Sequence, residues 1–166
     1  MSSKFLSRKP VWYNIGTGKS YTHKPHEVIL KHCKYFPSTA EYKLFCCMKS
    51  ILPNDNFTLH TQSYLYAGAV RWRIDFALTS DVHDFNSLAC KYNVSSTSTP
   101  CRKLYIEYKG MHDKNFMQKQ RNLTKYPEKD STLVLVAQHK SKVYDKIIYD
   151  VNTFLDILNS WLTTLK

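Results

Sequence analysis

The chain has 166 residues, of which 43% are hydrophobic and 14% aromatic, enough to fill the core of one domain of ordinary size. Four glycines and six prolines exclude a fibrous or linker-rich protein, and no run approaches the roughly 18 uncharged apolar residues of a membrane span. Twenty-four Lys and Arg against thirteen Asp and Glu give a net charge of +11. This charge predicts a polyanionic partner, and nucleic acid is favoured over an acidic membrane surface.

The N-terminus contains no apolar run of signal-peptide length, so we expect a cytoplasmic or nucleoid-associated protein that is not secreted. Residues 1–37 show no clear hydrophobic periodicity and carry seven Lys or Arg against one acid, Glu27. They predict a basic N-terminal arm or irregular lead-in that contacts phosphates. Gly16-Thr-Gly-Lys-Ser20 is similar to the end of a phosphate-binding loop, but Tyr13 stands where its first glycine belongs, so no nucleotide cofactor is expected.

Residues 38–166 have the pattern of a mixed α/β domain, with a core at 38–137 and a C-terminal addition at 138–166. Ser38-Thr-Ala-Glu41 is a capping box that begins a helix, and Pro53 ends it. Strand patterns at about 57–66 and 69–78 flank a short turn and predict a β-hairpin. Residues 79–101 form a long polar excursion, which in compact domains is usually functional or mobile.

The second half of the chain predicts a third strand at about 103–109, a basic helix at roughly 113–125 and a strand buried on both faces at 133–137. The segment 143–149 is a further candidate strand. Asp150 then caps a C-terminal helix with a wide apolar stripe made of Val151, Phe154, Leu155, Leu158, Trp161, Leu162 and Leu165. This stripe either covers the second face of the sheet or forms the interface of a homodimer.

The second and third strands carry charged residues in a period of two, which assigns them to faces. On the second strand one face has Trp72, Ile74, Phe76 and Leu78, and the other has Arg71, Arg73, Asp75 and Ala77. On the third strand Tyr105, Glu107 and Lys109 share a face. If the apolar faces point the same way, Asp75 and Glu107 lie a few ångströms apart on one surface, about the distance of cross-strand neighbours.

Two close carboxylates repel each other, so they predict a cation between them. Mg²⁺ fits because it prefers hard oxygen ligands, and Mn²⁺ is expected to substitute for it. Lys109, on the same face as Glu107, is placed to orient or deprotonate an attacking water. The alternative is a surface ion-pair cluster, which is disfavoured because Asp75 lies in the middle of a strand between Ile74 and Phe76.

Asp75 in Arg-Ile-Asp-Phe and Glu107-Tyr-Lys109 in Tyr-Ile-Glu-Tyr-Lys-Gly resemble the core signature of the PD-(D/E)xK nuclease superfamily. The predicted order over 38–137 (helix, three strands, helix, strand) is similar to its core as well. The resemblance implies a restriction-endonuclease-like fold, a mixed central sheet flanked by helices, and a metal-dependent endonuclease that hydrolyses DNA. It also implies metal-ligand roles for the Ile106 carbonyl and for Glu41, although Glu41 has the capping box as its alternative role.

In the resembling nucleases the helix after the Lys motif flanks the scissile phosphate. Besides Arg71 and Arg73, the residues expected to contact DNA are therefore those on this helix: Lys114, Gln118, Lys119, Gln120, Arg121 and Lys125. A solvated basic face is the alternative for this helix. The small size favours a structure-selective endonuclease for junctions or branched DNA, or a nicking enzyme, in recombination or repair. The alternatives are a restriction, homing or transposition endonuclease and a non-catalytic nucleic-acid-binding module.

Cutting both strands of a duplex requires two active sites, and the chain offers one carboxylate pair. We therefore expect a homodimer that binds DNA and not a membrane, with two-fold pairing as the usual arrangement of soluble homo-oligomers.

Overall fold

The structure, a computed structural model, describes residues 9–67, 69–94, 100–109, 130–143 and 146–166. The predicted basic helix at 113–125, with its DNA-contact candidates from Lys114 to Lys125, lies outside the described residues. The chain divides into two compact units, Met1–Ser50 and Ile51–Lys166. This division falls at the last residue of the first predicted helix. The domain boundary that the sequence suggests, at 37/38, stays a prediction.

The first unit contains a small antiparallel sheet in the region predicted to be an irregular lead-in. Its strands are β1 (Val11–Asn14), β2 (Ser20–Tyr21) and β3 (Cys33–Phe36), in the order β2-β1-β3. A short helix, α1, covers Glu27–Leu30. The prediction of irregular chain is wrong for this region, because strands of two to four residues are too short to show a hydrophobic period.

Gly16-Thr-Gly-Lys-Ser20 belongs to the turn and the start of β2 in the β1–β2 hairpin. The Oδ1 atom of Asn14 accepts hydrogen bonds from the backbone N–H groups of Gly16 at 2.9 Å and Thr17 at 3.2 Å. Gly18 has a φ of +76°, which favours glycine. An Asn that bonds to the backbone two residues ahead is a common way to form a turn. The glycines therefore have a structural explanation.

The first predicted helix is confirmed as α2, at Thr39–Ile51. Its capping box is visible in the backbone N–H of Glu41, which donates to the Oγ of Ser38 at 3.2 Å. Leu44, Phe45 and Met48 form its buried stripe. The ring of Phe45 packs on that of Phe36 with centroids 5.0 Å apart, so the helix and β3 share the core of the first unit.

The second unit is built on a mixed sheet of six strands in the order β4-β5-β6-β7-β9-β8. The strands are β4 (Phe57–Ala67), β5 (Val70–Ser80), β6 (Lys103–Tyr108), β7 (Ser131–Ala137), β8 (Ser141–Val143) and β9 (Lys146–Asp150). β4, β5 and β6 are antiparallel neighbours, β6, β7 and β9 are parallel, and β8 is antiparallel to β9. The predicted hairpin, third strand and buried strand are confirmed. The candidate strand at 143–149 covers the last residue of β8 and most of β9.

Two helices pack on one face of this sheet: α3 (Asn86–Lys91) and α4 (Val151–Thr164). Tyr92, just after α3, stacks on Phe154 of α4 with ring centroids 5.4 Å apart, and its hydroxyl donates to the Phe154 carbonyl at 2.7 Å. The same ring contacts Tyr149 of β9. The predicted excursion at 79–101 is therefore not polar throughout, because α3 and its flanks bury a helically spaced apolar set: Phe85, Leu88, Ala89 and Tyr92.

The stripe of the C-terminal helix lies inside the second unit. Phe154, Leu158 and Trp161 are at most 1% exposed, and the Trp161 indole N–H donates to the Oγ of Ser87 at 2.8 Å. This helix therefore covers its own sheet with the buried members of the stripe, which is the first of the two alternatives, and dimerisation stays a prediction. Asp150 caps α4 as predicted, since its Oδ1 accepts from the Thr153 backbone N–H at 2.9 Å. None of the helices in the described ranges is long and apolar enough to cross a bilayer.

Candidate functional site

Asp75 and Glu107 lie where strands β5 and β6 stop pairing. The antiparallel ladder runs from the pair Thr79–Lys103 to the pair Phe76–Ile106, and Asp75 and Glu107 are the next residues of the two strands. Beyond this point β5 continues beside β4 as far as Val70, and β6 continues beside β7 as far as Tyr108. The predicted acidic residues therefore occupy opposite positions at the opening between two central strands.

The side chain of Asp75 crosses this opening. Its Oδ2 accepts a hydrogen bond from the backbone N–H of Tyr108 at 2.8 Å. If the β5–β6 ladder continued, Tyr108 would lie opposite Ile74 and its N–H would bond to the β5 backbone. The Asp75 carboxylate accepts this N–H in place of a β5 backbone group. On the other side of β6 the Lys109 N–H donates to the Val136 carbonyl at 2.7 Å. The backbone just after Glu107 is thus held from both neighbouring strands.

Strand β4 has an unusual backbone conformation at the position opposite Asp75. Gln62 lies between the pairs Thr61–Phe76 and Ser63–Ile74 and has a φ of +50°. For a residue other than glycine this conformation costs on the order of 1 kcal/mol or more, and such strain is concentrated at functional sites. The conformation therefore marks the neighbourhood of Asp75 as a place where the sheet departs from regularity.

The alternation of side chains along β5 changes at Asp75. Ile74 packs in one buried cluster with Ala77 and Tyr105. Residues three apart on a strand share a face only if the alternation is broken between them. The prediction of one common face is therefore wrong for this set: Trp72, Ile74, Phe76 and Leu78. The irregularity at Gln62 and Asp75 is a backbone distortion, and a period-two pattern does not signal it.

Burial differs among the three residues of the predicted catalytic set. Glu107 is only 6% exposed, which is rare for a glutamate, whereas Asp75 and Lys109 are half-buried. A buried carboxylate is costly unless positive charge or hydrogen bonds compensate it. The deeper acid thus lies on the central strand β6, where its register partner on β7 is Leu135.

The donor groups predicted to bind a divalent cation are two carboxylates and one backbone carbonyl. Two carboxylates come from adjacent strands, and the Ile106 carbonyl belongs to the residue just before Glu107. Within the ranges that the structure describes, no group of three or more His, Cys, Asp or Glu side chains could hold a metal ion. Mg²⁺ suits such a set, because it commonly binds one or two carboxylates and completes its shell with waters and substrate phosphate oxygens.

Glu41 belongs to the first unit, on the first turn of α2. Its backbone N–H makes the hydrogen bond of the capping box with Ser38. The capping role is therefore confirmed for the Ser38 half of the motif, and the metal-ligand role stays a prediction.

Arg71 and Arg73 are exposed on β5, as expected of residues that contact nucleic acid. Opposite them on β4 stand two exposed tyrosines, since Tyr66 pairs with Arg71 and Tyr64 pairs with Arg73. The Arg71 guanidinium lies 4.3 Å from the centre of the Tyr64 ring. These tyrosines were not predicted as site residues, although their spacing of two in a predicted strand was a signal that they share a face.

Comparison of the chain with protein-family models, curated proteins and solved structures finds no match.

Proposed function

We propose that this protein is a metal-dependent endonuclease that hydrolyses DNA phosphodiester bonds at Asp75 and Glu107. The observation that carries the proposal is the position of the two acids, one residue beyond the last β5–β6 pair on each strand. The hydrogen bond from the Tyr108 N–H adds to it, because it fixes the Asp75 carboxylate at the opening. A preorganised carboxylate needs little rearrangement to bind a cation.

The proposed fold is the restriction-endonuclease-like core of the PD-(D/E)xK superfamily. In support, α2 is followed by three antiparallel neighbours, β4, β5 and β6, and β7 then lies parallel to β6 on its other side. The proposed acids fall on the two central members of this arrangement, at Asp75 of β5 and Glu107 of β6.

In the proposed mechanism Asp75 and Glu107 would hold Mg²⁺, or Mn²⁺ in its place, and the Ile106 carbonyl would be a further oxygen ligand. When bound, the cation would lower the pKa of water and stabilise the charge that develops on the phosphate. Lys109, two residues beyond Glu107, would orient the attacking water, whose proton passes to solvent. The water oxygen forms the new P–O bond, the bond from phosphorus to the leaving sugar oxygen breaks, and that oxygen takes up a proton from solvent.

The burial of Glu107 supports a cation-binding role over a surface ion pair. At 6% exposure its carboxylate lies in surroundings of lower effective dielectric, where it attracts a cation more strongly than an exposed acid does. The net charge of +11 and the exposed Arg71 and Arg73 support a nucleic-acid substrate, since phosphate contacts supply most of the affinity. DNA, a structure-selective or nicking mode of action, and homodimerisation remain parts of the proposal that the resemblance and the chain's size suggest.

The test is nicking of supercoiled plasmid by the purified full chain with Mg²⁺, with Mn²⁺ and with EDTA. Glu107→Gln and Lys109→Met should each lower the rate at least about 100-fold, as expected for loss of a group that acts in the transition state. Asp156→Asn, which changes an exposed acid on α4, is the matched control and should cut at the wild-type rate. If Glu107→Gln nicks as fast as the wild type, the site assignment fails and a non-catalytic binding module becomes the better explanation.

The third acid needs a separate test, because Glu41 also begins a helix. Glu41→Gln keeps the backbone hydrogen bond to Ser38 and removes only the charge. A metal ligand predicts slower nicking at low Mg²⁺ that recovers as the Mg²⁺ concentration rises. Full activity per folded molecule at all Mg²⁺ concentrations would restrict Glu41 to the cap. The same enzyme preparation, assayed on a four-way junction, a flap, single-stranded DNA and linear duplex, would identify the preferred substrate.

A further inference from the structure

The end of the β4–β5 hairpin carries two exposed tyrosines and two exposed arginines in cross-strand register. We call Tyr64, Tyr66, Arg71 and Arg73 the Tyr–Arg ladder. Tyr64 is 43% exposed and Tyr66 is 56% exposed, both large values for aromatic side chains within a paired strand. Scattered exposed aromatics need no explanation, but adjacent rings with adjacent cations form a patch of defined chemistry.

Two members of the ladder, Tyr64 and Arg71, contact each other across the two strands. The Arg71 guanidinium lies over the Tyr64 ring at 4.3 Å, within the range of cation–π interactions. Tyr64 keeps 43% of its surface exposed in spite of this contact. The arrangement therefore leaves aromatic surface accessible beside a guanidinium, which is the combination that binds unpaired nucleotides.

The surface is backed by a rigid core on the other face of the hairpin. Leu65 and Ile74 are 4% and 0% exposed and pack in one cluster with Tyr105 and Trp72. The Tyr105 hydroxyl donates to the Tyr64 carbonyl at 3.0 Å, so the backbone of Tyr64 is tied to the central strand β6. A ligand would meet rings that are already in place, which lowers the entropy cost of binding.

We propose that the Tyr–Arg ladder binds single-stranded DNA, with bases stacked on Tyr64 and Tyr66 and phosphates held by Arg71 and Arg73. Residues two apart on a strand are separated by roughly 6.8 Å, about twice the spacing of stacked bases in a duplex. Bases can match that separation only in an unpaired and extended strand. The net charge of +11 and the two guanidinium groups suit an anionic ligand and not an apolar protein surface.

This inference rests on the proposed function for the identity of the ligand, and it narrows the substrate. Arg73 is two residues from Asp75 on β5, so a strand bound on the ladder ends near the proposed cleavage site. The protein then prefers DNA that has an unpaired segment beside a duplex, such as a flap, a bubble or an open junction. A regular duplex would use the arginines alone.

The experiment measures binding without cleavage, by fluorescence anisotropy of labelled oligo-dT and of a hairpin duplex in EDTA. The variant Tyr64→Thr/Tyr66→Thr removes both rings and replaces them with β-branched residues, which also favour strands. Its affinity for oligo-dT should fall about 100-fold, close to tenfold for each ring, with less than threefold change for the duplex. Tyr64→Phe/Tyr66→Phe keeps the rings and should bind like the wild type.

Tyr35→Thr is the matched control, because Tyr35 has the same 43% exposure but lies on β3 of the first unit. It should change oligo-dT binding less than threefold. Equal losses on oligo-dT and duplex, or no loss in the double Thr variant, would overturn the proposal, as would tighter binding of oligo-rU than of oligo-dT. Urea unfolding of each variant establishes that the compared proteins are folded.

The two proposals fail in different ways. If the wild type binds oligo-dT through the tyrosines but nicks no DNA with Mg²⁺ or Mn²⁺, the ladder stands and the nuclease proposal is wrong. If Glu107→Gln abolishes nicking while the double Thr variant binds oligo-dT normally, the nuclease stands and the ladder is only a stabilising surface of the hairpin.

Discussion

Replacing Asp75 by Ala and by Asn should separate its structural role from its proposed chemical role. Asp75 Oδ2 accepts the backbone N–H of Tyr108 at 2.8 Å, at a partly buried point between two central strands. Asp75→Ala removes this acceptor and leaves the N–H without the carboxylate. Asp75→Asn retains an amide oxygen that can accept the same hydrogen bond, but it removes the negative charge that would bind a cation.

The expected cost can be estimated from that single hydrogen bond. Leaving a buried donor unsatisfied costs about 1–3 kcal/mol, and the partial burial here favours the lower half of that range. With an m-value of about 2 kcal/mol/M, the middle of the usual range for small proteins, the urea midpoint of Asp75→Ala should fall by about 0.5–1 M. For Asp75→Asn the loss should be about 1 kcal/mol or less, since a neutral acceptor replaces a charged one.

Urea unfolding followed by tryptophan fluorescence, together with plasmid nicking, gives the two readouts. We expect both variants to lose nicking and only Asp75→Ala to lose substantial stability. Asp75→Asn with wild-type nicking would refute the metal-ligand role. Asp75→Ala with wild-type stability would show that the hydrogen bond to Tyr108 contributes nothing to the fold.

Three further predictions concern the second unit. Trp161→Ala should lower the free energy of unfolding by about 3–5 kcal/mol, because the indole is 1% exposed, and Trp161→Glu should unfold the protein without first dissociating a dimer in sedimentation. Tyr92→Phe should cost about 1–3 kcal/mol in urea unfolding, since its hydroxyl is a hydrogen-bond donor to the buried Phe154 carbonyl. The hydrogen bonds from Thr153 lower the pKa of Asp150. They therefore stabilise the folded protein above the pKa of an unfolded aspartate, and this stabilisation is lost as the pH falls through the lower folded pKa. Asp150→Asn should therefore flatten the acid limb of a plot of urea midpoint against pH, and an unchanged limb would exclude this contribution.

The parts of the fold that were predicted correctly depend on signals within a few residues. The capping box at Ser38, the cap at Asp150 and the apolar run at 133–137 each act through neighbouring backbone groups or through burial of one continuous segment. Such signals can be recognised in the local sequence without knowledge of the rest of the chain. The corresponding helices and strand accordingly appear where the sequence placed them.

The parts that were missed depend on partners distant in the chain. β1 has four residues and pairs with β3 about twenty residues later, so neither shows a period of its own. Phe85, Leu88 and Tyr92 are spaced as in a helix, but they stand within a polar stretch and gain their burial from Phe154 and Trp161. Tertiary packing determines the structure of both regions, and local propensity alone does not predict it.

The prediction for the candidate site depends on regular alternation along two strands. A common face for Asp75 and Glu107 was predicted from that alternation, yet Ile74 and Ala77 share a cluster, so the alternation on β5 is broken between them. Both acids nevertheless directly follow the last β5–β6 pair on their strands. Their position at the opening depends on the pairing register, which a period-two pattern alone does not give, and their common role stays a prediction.

The break at Asp75 also explains how a carboxylate can serve both fold and site. In a regular antiparallel ladder the Tyr108 N–H would bond to the backbone of β5, and the side chain of Asp75 would stand perpendicular to the sheet. With the ladder ended at Phe76, the Asp75 side chain turns to the Tyr108 N–H and so enters the opening beside Glu107. The conformation of Gln62, with a φ of +50° on the opposite strand, belongs to the same distortion. Restoring regular pairing, for instance by a β-branched residue at Gln62, should therefore move the carboxylate of Asp75 and reduce nicking, even though Gln62 is not one of the proposed ligands.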